Sequence, residues 1–461
     1  MLDESLVSDV LRAALASGGR FAELFAEERR STQIRLDDRR IEELSVGLDR
    51  GAGVRVISGD TTAYAYSNRL DRGALFGAAE AAAAASRGGG RVKLVDQRRS
   101  EPATVHAVRA PASDVEPERK VAWLRAADDA ARAHASEVRQ VVVSYGDAVQ
   151  RMMVAGSEGR RVEEERHRVR LMAQVVAARD GVVQTGFDGP AALGGEELFE
   201  AHPPAGIGAE AARMAVTMLD GVAAPAGEMA VVIGPAGGGV LFHEACGHGL
   251  EADTVGKEAS VYRGQLGERL ASPLVTGVDD STVPGGWGSF SFDDEGTPSA
   301  RTVLFDEGTL AGYLYDRFWS GKHDAEPTAN GRRQSYAHLP IPRMTNTFIE
   351  PREGDPDDII RDTKRGVYAK VLGGGQVNPA TGDFVFGIAE GYLIEDGRIT
   401  SPVRGANLIG NGRAILEAVD AVAGDFDRRP GTCGKDGQGV AVTTGSPTLR
   451  IARMTVGGTG G

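Results

Sequence analysis

The most informative stretch of the sequence runs from residue 241 to residue 249 and reads Leu241-Phe242-His243-Glu244-Ala245-Cys246-Gly247-His248-Gly249. We predict a helix over 240–250. On a regular helix, side chains four residues apart are about 40° apart around the axis, whereas side chains five apart are about 140° apart. His243 and His248 are five apart, so a regular helix would point them in different directions. Gly247 and Gly249 permit an irregular backbone. We therefore predict a distorted helix, with a π-type bulge or a helix end between the two histidines.

These residue types suit a metal site. A neutral imidazole binds zinc through one ring nitrogen, and a neighbouring carboxylate that is not a ligand can take a proton from a water that the metal activates. The sequence therefore predicts Zn²⁺ held by His243 and His248, with Glu244 as the general base. The alternative is two ordinary histidines beside a glycine-rich turn, because motif matches in a single sequence can mislead.

A zinc site needs a third protein ligand, and the sequence offers several. The candidates are Cys246, Cys433, Glu251, Asp253, His323 and His338. Cys433 lies in a glycine-rich segment, residues 431–439, which is typical of an exposed loop, and the neighbouring Lys435 would favour its thiolate. Cys246 lies three residues after His243, on roughly the same side of the helix. Its alternative interpretation is a small hydrophobic residue in the core. Chemistry alone favours Cys433 over Cys246.

Three further features of the sequence leave two interpretations each. Glu251 and Asp253 either orient the histidines from a second layer or mark a solvated helix end. The glycine-rich run 235–239 before the helix resembles a phosphate cradle but lacks the Lys-Ser/Thr of a P-loop, so a tight turn is the simpler interpretation. The run Gly373-Gly374-Gly375 could let a peptide backbone approach closely, or it is merely a loop.

The chain before residue 222 alternates helices with strands. A helix is predicted over 6–14, strands and turns follow over 21–56, and Ser58-Gly59-Asp60 is a hairpin signal. Further helices are predicted over 75–87, 121–137 and 208–219, and further strands over 140–145, 150–155 and 169–177. A helix followed by antiparallel strands thus occurs twice before residue 190, which suggests a structural echo.

The pattern as a whole predicts an α+β fold in two domains. Residues 1–222 would form an N-terminal domain of helices and antiparallel strands, with a possible sub-boundary in the linker at 101–118. Residues 223–461 would form a predominantly antiparallel β domain that carries the metal-site helix. Strands dominate after residue 250, where turn signals such as Glu307-Gly308 and Asp396-Gly397 separate apolar runs.

Composition excludes some classes of function. The formal net charge is −13, and so acidic a chain repels phosphate backbones and anionic membranes; we expect no nucleic-acid partner. No apolar run is long enough to span a membrane, and the first residues do not resemble a secretory leader. Two cysteines in 461 residues are not a disulfide framework. We therefore expect a cytoplasmic protein with free thiols.

The motif residues resemble those of a known family. His243-Glu244-x-x-x-His248-Gly249-Leu250-Glu251-x-Asp253, followed by Cys433-Gly434-Lys435-Asp436-Gly437-Gln438-Gly439, is similar to the TldD-type members of the TldD/PmbA (TldE) family. The tail segments 447–450 and 454–458 share the resemblance. It implies a zinc metallopeptidase whose ligands map to His243, His248 and Cys433, with Glu244 as base. Cys246 is outside the family pattern and would be a packing residue.

The resemblance also implies a function and a partner. We expect a zinc-dependent peptidase that hydrolyses unfolded or small peptides, held by strand addition to a sheet edge. We further expect a dimer, formed with a PmbA/TldE-type subunit that lacks the metal motif. Two alternatives remain: an amidase that acts on a non-peptide or peptide-derived metabolite, and a protein-binding modulator, since the family is also associated with DNA gyrase, without essential catalysis.

Overall fold

A computed structural model describes residues 2–86, 94–378 and 380–458. It has the predicted α+β fold, in which helices cover long antiparallel strands. The N-terminal elements are helices α1 (Glu4–Ala14), α2 (Arg72–Ala85), α3 (Pro117–His134), α4 (Leu198–Ala201) and α5 (Pro204–Leu219), and strands β1 (Phe21–Asp37), β2 (Arg40–Ser58), β3 (Thr61–Ser67), β4 (Arg98–Arg99), β5 (Val138–Gly156), β6 (Arg160–Arg179), β7 (Val182–Asp188) and β8 (Ala191–Leu193).

The N-terminal strands form one sheet. Within the described residues its order is β3-β2-β1-β5-β6-β4, with β7 and β8 also paired to β6. Helices α1 and α2 bury an apolar cluster against β1, β2 and the end of β5. Helices α3 and α5 bury a second cluster against β5, β6 and the other end of β1. The predicted echo of helix and antiparallel strands is therefore confirmed, with both copies sharing one sheet.

The structure differs from the sequence prediction in the length of these strands. Two short strands were predicted over 140–145 and 150–155, whereas β5 is continuous. Its middle contains Asp147, whose carboxylate lies 2.6 Å from Lys120 Nζ and accepts a hydrogen bond from the Tyr145 hydroxyl. Pairing with β1 and β6 along almost its whole length carries the strand through these polar positions. We expect the glycine run 88–90 to end the helix predicted over 75–87, and this run lies outside the described residues.

The C-terminal half is predominantly antiparallel β, as predicted. Its helices are α6 (Gly237–Ala245), α7 (Ala252–Gly256), α8 (Arg317–His323), α9 (Pro356–Arg361) and α10 (Gly412–Glu417), with a 3-10 helix at Gly247–Leu250. Its strands are β9 (Val222–Ala223), β10 (Gly227–Ile233), β11 (Gly277–Asp280), β12 (Arg301–Asp306), β13 (Thr309–Leu310), β14 (Gly331–Arg332), β15 (Ile341–Pro342), β16 (Asn346–Ile349), β17 (Arg365–Asn378), β18 (Asp383–Glu395), β19 (Arg398–Arg404), β20 (Asn407–Asn411), β21 (Val419–Val422), β22 (Asp427–Lys435), β23 (Gln438–Ser446) and β24 (Leu449–Gly457).

Two C-terminal sheets enclose helix α6. One has the path β17-β10-β24-β20-β18-β19-β9, and the other has the path β13-β12-β11-β16-β23-β22. Helix α6 packs against β17 of the first sheet and β16 and β23 of the second, and its apolar side chains belong to the largest core cluster. The helix is thus held from both sides, which fixes the position of its last turn.

Buried ion pairs join the N-terminal sheet to the C-terminal half. The Arg55 guanidinium lies 2.8 Å from Glu23 and 2.6 Å from Glu295, and Arg333 lies 2.5 Å from the other Glu23 oxygen. These side chains are at most 1% exposed. A small apolar cluster around Phe25, Phe292 and Tyr336 lies beside them. No helix in the described residues is both long and apolar enough to cross a membrane.

Candidate metal centre

The predicted distortion of the motif helix is confirmed. Helix α6 ends at Ala245, Cys246 leaves the helical conformation with φ −135°, and a 3-10 turn begins at Gly247. A side chain at Gly247 would require the Met344 side chain to move, because its Cβ would lie 2.1 Å from the Met344 sulfur. The change of helix type between the two histidines brings their rings to a centroid distance of 5.1 Å at 88°.

A third side chain joins the two histidines from the far end of the sequence. The Cys433 sulfur lies 3.3 Å from His243 Nε2 and 3.5 Å from His248 Nε2. One atom from each of the three residues lies within 4.8 Å of the other two. The β22–β23 hairpin carries Cys433 to this position, in register opposite Val440.

The geometry of the three atoms fits a zinc ion. With Zn–S and Zn–N distances of about 2.3 and 2.0–2.1 Å, tetrahedral coordination puts a sulfur and a nitrogen ligand about 3.6 Å apart. The observed separations, 3.3 and 3.5 Å, are close to that value. Two imidazoles and a thiol are also donors that zinc prefers. Three ligands leave one of four positions open, as catalytic zinc sites do.

The environment of Cys433 favours the metal-binding form of its sulfur. Burial alone would raise the pKa of the thiol, but His243 and His248 lower it to about 4. The sequence interpretation of this segment was wrong in two respects. Cys433 is buried in a strand rather than exposed in a loop, because the glycine-rich residues form a tight hairpin with a turn at Asp436-Gly437. Lys435 contacts carboxylates instead of the thiol.

Glu251 lies directly behind His248. Its carboxylate is 3.0 Å from His248 Nδ1 and 3.0 Å from Lys435 Nζ, and Lys435 also lies 2.5 Å from Asp253. Both acidic side chains are buried, so the alternative of a solvated helix end is wrong. Burial would raise the pKa of Glu251, but Lys435 and His248 lower it to about 2. A carboxylate here fixes the ring orientation of a histidine whose other nitrogen faces the metal position.

Glu244 and His243 complete the inner layer. The Glu244 side chain is 27% exposed, and its carboxylate lies 3.8 Å from His248 Nε2. It therefore reaches both the cluster and solvent, unlike Glu251. His243 is buried, and its Nδ1 has no hydrogen-bond partner among the residues that the structure describes.

The other candidate ligands lie outside the cluster. Cys246 is fully buried in the core, and its thiol donates to the Phe242 carbonyl over 3.0 Å; this agrees with the packing interpretation. His323 packs against Tyr315 and Trp319, and His338 Nδ1 lies 2.9 Å from the Ser335 hydroxyl. Of the six candidates, Glu251 contacts His248 alone, and within the described residues only Cys433 has a ligand atom close to both histidines.

The cluster opens into a cavity of about 1080 Å³. Two strand segments that line it have an edge without a strand partner among the described residues. β10 pairs with β17 over 366–369, and beyond that point β17 pairs on one side, with β18, through an irregular register. β22 is the last strand of its sheet. Sequence reasoning suggested a backbone approach at Gly373–Gly375 but missed the β22 edge, because strand order depends on pairings that the sequence pattern does not reveal.

The glycine-rich turn before α6 is explained by packing. A Cβ on Gly239 would lie 2.2 Å from the Gly445 nitrogen, and one on Gly238 would lie 2.7 Å from a Leu449 methyl carbon. Ala236 turns the chain into the helix with φ 70°. The run thus serves as a tight turn that lets α6 approach β23 closely.

Sequence comparisons connect the whole chain to one family. Models of the PmbA/TldA metallopeptidase family match it over 22–86 (domain 1), 110–219 (central domain) and 226–458 (C-terminal domain). A protein of Haemophilus influenzae named metalloprotease TldD homolog is 39% identical over 448 residues, 95% of this chain and 93% of that protein. A Saccharolobus solfataricus protein named zinc metalloprotease TldD homolog is 32% identical over 53% of this chain and 54% of that protein.

Solved structures share the fold. A Thermotoga maritima protein described as a candidate modulator of a DNA gyrase superposes with a TM-score of 0.82 at 22% identity, over 98% of this chain and 100% of that one. TldE from Thermococcus kodakarensis superposes with a TM-score of 0.80 at 20% identity, over 98% and 99%. At these identities the likeness concerns the fold alone.

Proposed function

Because the chain belongs to the PmbA/TldD metallopeptidase family, we propose that it is a zinc-dependent peptidase whose ligands are His243, His248 and Cys433. The observation that carries the proposal is the approach of the Cys433 sulfur to both imidazoles from 185 and 190 residues away. A relative named zinc metalloprotease supports the choice of metal.

The roles of the side chains follow from their positions. Zinc at this site would polarise a scissile carbonyl and make a water acidic near neutral pH. Glu244, partly exposed beside the cluster, would accept that water's proton on its carboxylate and pass it to the leaving amine. His248 is held in orientation by Glu251, which accepts from Nδ1 and is itself held by Lys435. The core around α6 keeps His243 fixed against Cys433.

The substrate class is proposed from the strand edges. The unpaired edges of β17 and β22 present backbone donors and acceptors to the cavity that holds the metal cluster. An extended peptide can bind such an edge by adding a strand. Backbone pairing is largely independent of side chains, so we propose unfolded or small peptides as substrates. Folded proteins would not offer a free strand.

The metal proposal is tested with a cysteine pair. We expect purified wild-type protein to contain about one zinc per chain, the Cys433→Ala variant to lose it, and Cys246→Ala to retain it. Cys246 is the matched control because it is the other cysteine and is also buried. Zinc content that is unchanged in Cys433→Ala would refute the ligand set.

The catalytic proposal is tested with Glu244→Gln, which keeps the side chain's size. We expect peptide hydrolysis to fall by about 10²–10⁴-fold, the usual contribution of a general base, while zinc content stays constant. Assaying small amides beside a peptide library would detect an amidase instead. The name of the Thermotoga maritima structure favours a second candidate, a protein-binding modulator. If the protein acts as such a modulator, its effect on the protein that it binds should be unchanged in Glu244→Gln, because that effect would not need catalysis.

We further propose that the chain acts as a dimer with a PmbA/TldE-type subunit. Residues 40–51 of β2 pair only with β1 in the described chain, and Leu44, Val46 and Leu48 on this edge are 50%, 75% and 58% exposed. A partner of the same fold, such as TldE, would have a similar hairpin with which to pair. Val46→Lys should abolish co-elution of the two subunits, whereas Val183→Lys, at another exposed valine, should not.

We also propose that the protein is cytoplasmic, because its two cysteines are free thiols.

A further inference from the structure

A second cavity adjoins the one that holds the metal cluster. Its volume is about 520 Å³, and Arg170 and Thr432 line both cavities. It lies between the N-terminal sheet, which contributes Arg168 and Arg170 on β6, and the C-terminal half, which contributes Arg332. Thr432 is the residue next to Cys433, so the second cavity borders the metal cluster's cavity beside a predicted ligand.

Three arginines of this second cavity form no ion pair with an acidic side chain in the part of the chain that the structure describes. Arg168 donates to the carbonyls of Trp287 and Ser289, and Arg332 donates to two other backbone carbonyls. Among the described residues, the Arg170 side chain has one hydrogen bond, to the Met172 sulfur, and its Nε is buried without a hydrogen-bond partner. The same described residues offer none of the three an ion pair.

Two of the three acidic groups on the cavity wall are already in ion pairs; the third, Glu43, is exposed and accepts a hydrogen bond from the Ser45 hydroxyl. Asp294 lies 2.7 Å from Arg166, and Asp147 lies 2.6 Å from Lys120. Positive charge is therefore in excess around Arg168, Arg170 and Arg332. The pKa directions agree: burial, and then the neighbouring arginines, lower the pKa of Arg168 to about 9, and burial lowers that of Arg170.

We propose that this arginine cavity is a subsite for a carboxylate of the peptide substrate, either its C-terminal carboxylate or an acidic side chain. Arg170 would be the principal donor and Arg168 a second one. A guanidinium presents paired N–H donors that match the two oxygens of a carboxylate. The identity of the ligand as a peptide rests on the proposed function; the need for an anion rests on the unpaired arginines.

The position of the subsite suits a peptide bound at the metal. A strand added along the edge of β22 would run past Cys433 and Thr432, and Thr432 also lines the arginine cavity. One end of the same peptide could thus reach the arginines while a peptide bond lies at the cluster. A bound anion would also reduce the electrostatic repulsion among the arginines of this cavity.

The first test measures binding without hydrolysis. Fluorescence anisotropy of labelled peptides is recorded with the zinc-loaded Glu244→Gln protein, using pairs that differ only in a free or amidated C-terminus, or in Glu against Gln. We expect at least one anionic member to bind roughly tenfold more tightly than its neutral match, as charge-assisted hydrogen bonds would give. The pair that shows the preference identifies which carboxylate is bound. Equal affinities within both pairs would overturn the proposal.

The second test uses variants. Arg170→Met should reduce the ratio of anionic to neutral affinity to near one, and Arg170→Lys, which keeps the charge, should retain part of it. Arg453→Met is the control, because Arg453 is 77% exposed and pairs with Glu228 on the surface. Thermal unfolding checks that each variant is folded. A ratio unaffected by Arg170→Met and by Arg168→Met alike would refute the assignment of these donors.

The hydrolysis assay separates the two proposals. If wild-type protein cleaves both members of each pair with equal kcat/KM and the binding ratio is also one, the arginine subsite is wrong and the peptidase stands. If no peptide is cleaved, yet anionic peptides bind preferentially and Arg170→Met removes the preference, the peptidase is wrong and the subsite stands.

Discussion

A single methyl group at Gly239 should disturb both stability and metal binding. Gly239 lies in the first turn of α6, where the helix meets β23. A Cβ there would lie 2.2 Å from the nitrogen and 2.5 Å from the oxygen of Gly445. These are backbone atoms of a paired strand, so no side-chain rotation can relieve the clash. To lengthen this Cβ–nitrogen distance from 2.2 Å to a close contact of about 3.4 Å, the helix and the strand must separate by about 1 Å.

The magnitude follows from two opposing effects. Alanine favours a helix over glycine by about 1 kcal/mol, whereas overpacking in a core costs about 1–3 kcal/mol and sometimes more. Because the clash is with backbone atoms, the cost should be at the upper end, about 3 kcal/mol, so we expect Gly239→Ala to lower the free energy of unfolding by a net amount of about 2 kcal/mol. The separation also moves His243, on α6, away from Cys433, whose strand pairs with β23. Since a site must be held within about 0.5 Å, zinc affinity should fall at least roughly tenfold.

Urea unfolding and zinc competition with a chelator measure the two effects. Gly77→Ala is the matched control, because Gly77 is also in a helix and a Cβ there has nothing within 4 Å; it should raise stability by about 0.5–1 kcal/mol. If Gly239→Ala were as stable as wild type and bound zinc with unchanged affinity, close contact between α6 and β23 would not determine the ligand geometry.

Three other perturbations test the site and the fold. Glu251→Gln should weaken zinc binding by about 10–100-fold, because His248 loses the carboxylate that orients it; chelator competition measures this. Arg333→Met should lower the free energy of unfolding by about 3 kcal/mol, because Glu23 loses one of its buried partners. In metal-free protein, thiolate absorbance should show Cys433 titrating near pH 4 and Cys246 well above its ordinary pKa of 9.0, since the thiolate exists above each pKa.

Each of these predictions has a control and a contrary result. Glu258→Gln, at an exposed acid that pairs with Arg263, should not change zinc affinity; an equal loss would make the effect of Glu251 nonspecific. Arg12→Met, at an exposed arginine of α1 that pairs with Asp9, should not change stability; equal unfolding curves for it and Arg333→Met would contradict the buried network. The acidic titration should vanish in Cys433→Ala, and its persistence there would assign it to another group.

Much of the site was predictable because its information is local. The five-residue spacing of His243 and His248 requires a kink, and Gly247 makes one possible; the structure has it. The α+β fold and the repeated helix and strand order followed from periodicity. The division at residue 222, with a possible boundary at 101–118, stays a prediction. The roles of His243, His248, Cys433 and Glu244 also stay predictions.

The rest depends on contacts between distant segments. Cys433 reaches the histidines because β23 pairs with β16 and packs on α6, and no spacing within the sequence expresses that path. For the same reason the sequence interpretation made residues 431–439 an exposed loop. Glycines that permit a loop also permit a tight hairpin, and only burial of the hairpin against α6 distinguishes the two.

The sequence gives the net charge of the protein, but only the fold shows which charges lie next to each other. A net charge of −13 argues against anionic partners at the outer surface, where charges act together over several ångströms. Inside the arginine cavity the nearest charges decide: Asp294 and Asp147 are paired with Arg166 and Lys120, and among the described residues Arg168 and Arg170 have hydrogen bonds to carbonyls and a sulfur but no ion pair. An acidic protein can therefore contain a site that attracts carboxylates, and raising the salt concentration should weaken that preference less than it weakens surface attraction, because the arginines are partly shielded from solvent.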